Sequence, residues 1–164
     1  MEPKAFWDLL KSRGLTFFSG VPDSTFQQAY KYMVEDPEIR YVPAVREDVA
    51  LGLASAAYFA GKLGGVMMQN SGIGNIVNPL TSFSLMYKIP VLLVVGWRGY
   101  GGPPNDAPEH WIMGTKTPKI LELLGIPYEI LEPDNLDSAL VRLLSGMNEH
   151  SVPAALLVRS GVIE

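Results

Sequence analysis

The run Met68-Gln69-Asn70-Ser71-Gly72-Ile73-Gly74-Asn75 joins an apolar, strand-like segment to a helix through side-chain amides and small residues. Glycines let the backbone pass closely and amides offer both donors and acceptors, so such a turn builds a site at a strand end. Upstream, Arg46-Glu47-Asp48 opens an Ala-rich helical segment, 48–60, and puts a carboxylate at a second element end. Chemistry concentrated at strand-to-helix junctions is the mark of an α/β arrangement.

Working outward, apolar runs of strand length recur at 16–19, 39–42, 65–69, 91–95, 128–131 and 154–158, with helix-period segments between them. The alternation predicts an α/β fold, a parallel sheet of about six strands with helices on both faces. Leu136, Ala139, Leu140, Leu143, Leu144 and Met147 mark one face of a last helix behind an Asp134 or Asn135 cap. One domain, 1–164, is expected, without repeats or low-complexity tails. Only 97–108, rich in Gly and Pro, lacks periodicity, and loops of that kind in compact domains are commonly functional.

Composition narrows the function. The chain has 164 residues, 48% hydrophobic, and 13 basic against 17 acidic residues give a net charge of −4. No basic stripe stands out, which argues against nucleic acid and against an anionic membrane surface, and leaves small molecules or proteins as partners. With no cysteine and only His110 and His150, thiolate chemistry, disulfides and the usual zinc sets are excluded, and no metal ligands are expected on the chain. The longest apolar run, 89–95, falls far short of the roughly 20 residues that span a bilayer. The start lacks the basic and apolar regions of a signal peptide, so a cytoplasmic location is expected.

Each candidate site residue has a bland alternative. Gly72-x-Gly74 lacks the third glycine of a dinucleotide fingerprint, since Val77 stands there, and Gln69 before Ser71 removes the Gly-x-Ser-x-Gly elbow. Asn70 or Ser71 can simply cap the following helix, as Asp23 or Ser24 can after Gly20-Val21-Pro22. Glu47 can be a first-turn acid favoured by the helix dipole. Arg98 can be a solvated loop charge, or a guanidinium fork for an anionic substrate group. His110, in Pro108-Glu109-His110-Trp111, can be packed or can handle protons, and His150 has no chemical context.

Glu47 and the amide turn together resemble the pyrimidine-binding (PYR) domain of thiamine-diphosphate enzymes. The chain is most similar to decarboxylases of sulfopyruvate and phosphonopyruvate, whose PYR portions carry an "RE" or "NE" carboxylate, "MQNSGLGN", "YKIP" and "WRG". Here these are Arg46-Glu47, MQNSGIGN, Tyr87-Lys88-Ile89-Pro90 and Trp97-Arg98-Gly99. The resemblance implies that Glu47 hydrogen-bonds the aminopyrimidine ring of thiamine diphosphate and shares a proton with it. Pro22, Gln69, Asn70, Ser71 and Gly72 would line the cofactor. Asp23, Ser24, Asn70, Arg98 and His110 would face a small anionic 2-oxo acid, with Glu47 and His110 catalytic. Ser24 stands where pyruvate decarboxylases carry a functional aspartate, with Asp23 one residue early. Arg98 and His110 would lie on a loop, 97–114, that covers the cleft.

Enzymes of this family hold the diphosphate and Mg²⁺ with a Gly-Asp-Gly domain, a motif found nowhere in this sequence. The resemblance thus implies that thiamine diphosphate is shared with a partner chain that binds Mg²⁺. This chain would be the alpha subunit, and the partner a beta subunit in a heteromer with two or more copies of each. A PYR subunit of an acetolactate-synthase-like carboligase, or a non-catalytic PYR-like module, remain as alternatives.

Overall fold

The computed structural model describes residues 1–164. Helix α1 (Pro3–Ser12) precedes β1 (Phe17–Gly20), α2 (Gln27–Glu35), β2 (Arg40–Pro43), α3 (Glu47–Phe59) and β3 (Gly64–Gln69). A single 3-10 turn, Asn70–Gly72, leads into α4 (Ile73–Pro79), which widens into a π-helical stretch, Leu80–Leu85. Then follow β4 (Val91–Gly96), α5 (Pro108–Leu123), β5 (Tyr128–Ile130), α6 (Leu136–His150) and β6 (Ala154–Val158). No helix is long and apolar enough to cross a membrane.

All six strands are parallel, in the order β2-β1-β3-β4-β6-β5. Parallel crossovers are right-handed, so the direction of travel along the sheet decides which face a connecting helix covers. The steps β1 to β2 and β5 to β6 run one way, and α2 and α6 share a core with α1: Trp7, Phe18, Met33, Leu140 and Met147. The opposite steps place α3, α4 and α5 over Leu51, Met68, Ile76, Val95 and Leu121. Covered on both faces, β4 and β6 are buried throughout, which is why they read as unbroken apolar runs. The chain leaves β1 toward one face and β3 toward the other, so a crevice opens at their carboxyl ends, where α/β proteins bind ligands.

The strands fall within a residue of the sequence expectation, and the shifts are physical. Gly64 and Gly96 join the ladder because pairing recruits backbone, whatever the side chain. The helices differ more. Neither Asp23 nor Ser24 caps α2, because an intervening turn, with Phe26 N–H bonded to Asp23 C=O at 3.3 Å, delays its start to Gln27. Asn70 and Ser71 do not cap α4. Asn135 precedes α6, but its side chain turns back to Glu132 N–H and Ile130 C=O. Residues 108–114, expected in the loop, are the first turns of α5, where Pro108 takes the first-turn position whose missing N–H costs nothing.

Phe18 is fully buried, meets Trp7 edge-on at 5.0 Å and covers Gly65. Trp7 in turn donates its indole N–H to Ala29 C=O at 2.7 Å. Phe18→Ala should cost about 3–5 kcal/mol in urea unfolding with little change in slope. A loss under about 1 kcal/mol would show that this core collapses to fill the void.

Candidate active site

Glu47 is the first residue of α3, and its carboxylate packs directly on the turn that follows β3. Asn75 Nδ2 donates to Glu47 Oε2 at 2.7 Å, whereas Oε1 has no partner. A Cβ on Gly72 would lie 2.6 Å from Glu47 Cγ and 2.7 Å from Oε1, so only glycine admits this approach. The side chain is half-buried, with one oxygen anchored and one available at the carboxyl edge of the sheet.

The amides of the turn have separate tasks. Asn70 is buried, and its Nδ2 donates to Arg98 C=O and to Thr117 Oγ1, both at 2.9 Å. Its Oδ1 accepts from Arg98 N–H at 3.2 Å. With both amide hydrogens taken, Asn70 joins the ends of β3 and β4 to α5 and offers no free donor to a ligand. Gln69 donates to the exposed Ser71 hydroxyl at 2.7 Å, so this pair, not Asn70, presents polar atoms at the surface of the turn.

Beyond β4, Asp106 organises the loop 97–107. Its carboxylate accepts Arg98 Nε at 2.8 Å and Nη2 at 2.7 Å, Gly99 N–H at 2.8 Å and Ala107 N–H at 2.7 Å. His110 Nδ1 lies 3.2 Å from the same group. The Arg98 guanidinium, backed by the two N–H groups, holds this carboxyl well below the usual carboxylate range. Arg98 is therefore a paired side chain, not the solvated charge open from sequence, and its Nη1 also reaches Ser24 Oγ at 3.1 Å. Gly99 at φ +71° lies against the backbone of α5, where its added Cβ would fall 2.1 Å from His110 C=O. Trp97 fastens the same junction by donating to Gly114 C=O at 2.8 Å.

Asp23 has the opposite environment. It packs on Gly96, where a Cβ would come within 2.1 Å of its Oδ2, and that oxygen is buried without a hydrogen bond. Burial pushes its carboxyl above the usual range, with Thr25 and the Arg98 charge drawing it partly back.

Contacts thus link most expected residues in one chain: Glu47 to Gly72, Asn70 to Arg98, Arg98 to Ser24, and Arg98 through Asp106 to His110. Pro22 stands exposed in the loop beside Asp23. His150 is exposed and far along the chain from these groups, at the end of α6. Sequence reasoning missed Asp106, Asn75 and Thr117. For Asn75 the signal was present, since it closes the amide-rich run; Asp106 and Thr117 carried none.

Residues 3–116 match the family model described as thiamine pyrophosphate enzyme, N-terminal TPP binding domain. The chain is 34% identical over 154 residues to sulfopyruvate decarboxylase subunit alpha of Methanocaldococcus jannaschii, covering 93% of this chain and 90% of that one. It is 38% identical over 119 residues to the subunit of the same name from Methanothermobacter thermautotrophicus, covering 73% and 71%. Identity to phosphonopyruvate decarboxylase of Streptomyces viridochromogenes is 32% over 156 residues, and the chain spans 39% of that protein's length.

The two aspartates should respond oppositely to pH. Asp106, with its acidity strengthened by folding, contributes stability above the unfolded carboxylate value of about 3.9 and loses it as pH falls. Asp106→Asn should therefore cost roughly 1.5–3 kcal/mol at neutral pH and progressively less in acid. Asp23, with its acidity weakened, favours the fold below that value and opposes it as pH rises. Asp23→Asn should stabilise at neutral pH, with the gain vanishing in acid. Unfolding curves for both variants that run parallel to the parent across pH would refute these charge assignments.

Proposed function

Because the chain belongs to the thiamine pyrophosphate enzyme family, with its TPP-binding N-terminal domain, we propose that it is the alpha subunit of a two-chain thiamine-diphosphate-dependent decarboxylase. Its substrate is a small 2-oxo acid with an anionic tail, 3-sulfopyruvate or 3-phosphonopyruvate, and its products are the aldehyde and carbon dioxide. The observation that carries this proposal is the Glu47 carboxylate, pressed on Gly72 with one oxygen held by Asn75 and the other free.

The residues present suit the aminopyrimidine end of the cofactor. The absence of a side chain at Gly72 lets the Glu47 carboxylate lie directly on the turn, where a flat ring would meet its free oxygen, and Gln69 and Ser71 add donors and acceptors beside it. When bound, thiamine diphosphate supplies the electron sink for decarboxylation of the 2-oxo acid. Glu47, through its free oxygen, would hold and share a proton with the ring. Asn75 fixes the rotamer, so that the carboxylate meets the ring without reorganising. His110, with Nδ1 held against Asp106, would handle a substrate proton, and the Asp23 carboxyl is a second group whose proton is held more tightly than usual. The diphosphate and Mg²⁺ are held by a beta subunit, in a heteromer with two or more copies of each chain. Val45, two residues before Glu47, is 88% exposed, an apolar side chain beside the site that a partner would cover.

The purified chain should bind thiamine diphosphate weakly and catalyse nothing until a Gly-Asp-Gly partner chain is added. Tight Mg²⁺-dependent binding by this chain alone in calorimetry would overturn the shared site. In the complete enzyme Glu47→Gln should lower turnover by about 10²–10⁴ while cofactor occupancy holds, because a neutral amide cannot share the ring proton. Near-native turnover would return Glu47 to a helix-terminal acid. Analysis of products from the assembled enzyme separates release of an aldehyde from carbon–carbon bond formation.

A further inference from the structure

A cavity of about 240 Å³ opens at the carboxyl ends of β4 and β6, lined by Arg98, Tyr100, Asn105, Asp106, Arg159 and Ser160 together with Trp97. It is smaller than the roughly 300–1,000 Å³ of sites that enclose drug-sized ligands, and suits one compact polar group. Two guanidiniums line it against a single carboxylate, and that carboxylate, Asp106, is already saturated by Arg98 and two backbone N–H groups.

Arg159 differs from Arg98 in what it has left to give. Its guanidinium lies over the Tyr100 ring, 4.9 Å from the centroid, and Nη2 donates to Glu132, whose side chain is 44% exposed. Its Nε is buried without any hydrogen-bond partner. Nη1 makes no hydrogen bond either and is not buried, so the guanidinium keeps a reachable donor for an incoming acceptor beside the unpaired Nε. Tyr100 holds the plane of the guanidinium, while Glu132, open to solvent, is a weak and replaceable counter-ion. Arg98 lines the cavity and also reaches Ser24 Oγ at 3.1 Å, so one side chain borders both the cavity and the loop after β1.

We propose that this cavity seats the tetrahedral anionic tail of the 2-oxo acid, with Arg159 as the guanidinium that reads it. Arg98, committed to Asp106, is the fixed wall between the tail and the loop after β1. The substrate in this inference rests on the decarboxylase assignment; the anion chemistry rests on the cavity alone.

Two measurements test it. In ¹⁵N spectra of the full chain, the Arg159 Nε–H resonance should shift saturably with phosphonoacetate or sulfoacetate, and not with acetate. Comparing the two probes tells which tail the seat prefers. Arg159→Gln should abolish that binding, and Glu132→Gln should tighten it by freeing the guanidinium, a gain that a purely structural ion pair would not produce. In the enzyme assembled with its partner, Arg159→Gln should raise KM for sulfopyruvate or phosphonopyruvate about tenfold to hundredfold and leave KM for pyruvate unchanged. Unshifted Nε–H with both probes, weaker binding in Glu132→Gln, or equal KM changes for tailed and untailed acids would each overturn the seat. If tailed acids are decarboxylated normally by Arg159→Gln, the seat fails and the decarboxylase stands. If the probes bind Arg159 but the assembled enzyme turns over no tailed acid, the anion seat holds and the substrate assignment fails.

Discussion

The side-chain amide of Asn70 is buried, and a buried amide must find partners or destabilise the fold. It finds them by pairing with both the N–H and the C=O of Arg98 and with the Thr117 hydroxyl. That one set of bonds extends the β3–β4 pairing past the end of the strands and draws α5 onto the sheet edge. The position of Arg98 follows from it, and from Arg98 follow Asp106, the loop 97–107 and the placement of His110. A cluster of polar side chains over an apolar sheet keeps one geometry here because every member but a few is satisfied.

The unsatisfied few are informative. Asp106 collects donors from Arg98 and two backbone N–H groups and is held firmly ionised, whereas Asp23, the neighbour of the Ser24 that Arg98 reaches, has a buried oxygen with no donor. Folding gains from the first and is opposed by the second at neutral pH. A group that costs stability at a ligand-binding edge is the usual trade between stability and chemistry. Arg98 and Arg159 divide the same way. One is locked into a bidentate ion pair and serves as architecture, and the other retains a buried donor with nothing to receive it.

The sheet and its helices were open to reading from sequence because burial on both faces imprints unbroken apolar runs, as in 91–95 and 154–158. Glu47 and the amide turn were likewise apparent, since both stand at strand-to-helix junctions. What could not be read was the partnering of polar side chains across the fold. Asn70 has the same letter whether it caps α4, faces a ligand or ties two strands together. Only the distance to Arg98, twenty-eight positions on, decides among these. Asp106 lay in a Gly/Pro loop without periodicity, and Arg159 followed an apolar strand as an ordinary terminal charge. Their roles arise from the strand order, which sets β6 beside β4 and thereby brings Arg159 to the cavity that Arg98 lines.

That strand order also separates two chemical tasks along one edge. The junctions of β2 with α3 and of β3 with α4 hold Glu47 tightly against Gly72, with a single carboxylate oxygen left without a partner. The ends of β4 and β6, further along the sheet, hold the cationic cavity. Neighbouring strands lie about 4.8 Å apart, so the two features are separated by only a few strand widths, the scale of a small molecule and not of a second domain. Between them stand Asp23 and Arg98, each anchored on the β4 end. The geometry of both features is set within this chain, by the strand order and the polar contacts at the strand ends. What the partner must supply is the remaining charge and the cover over an edge this chain leaves open.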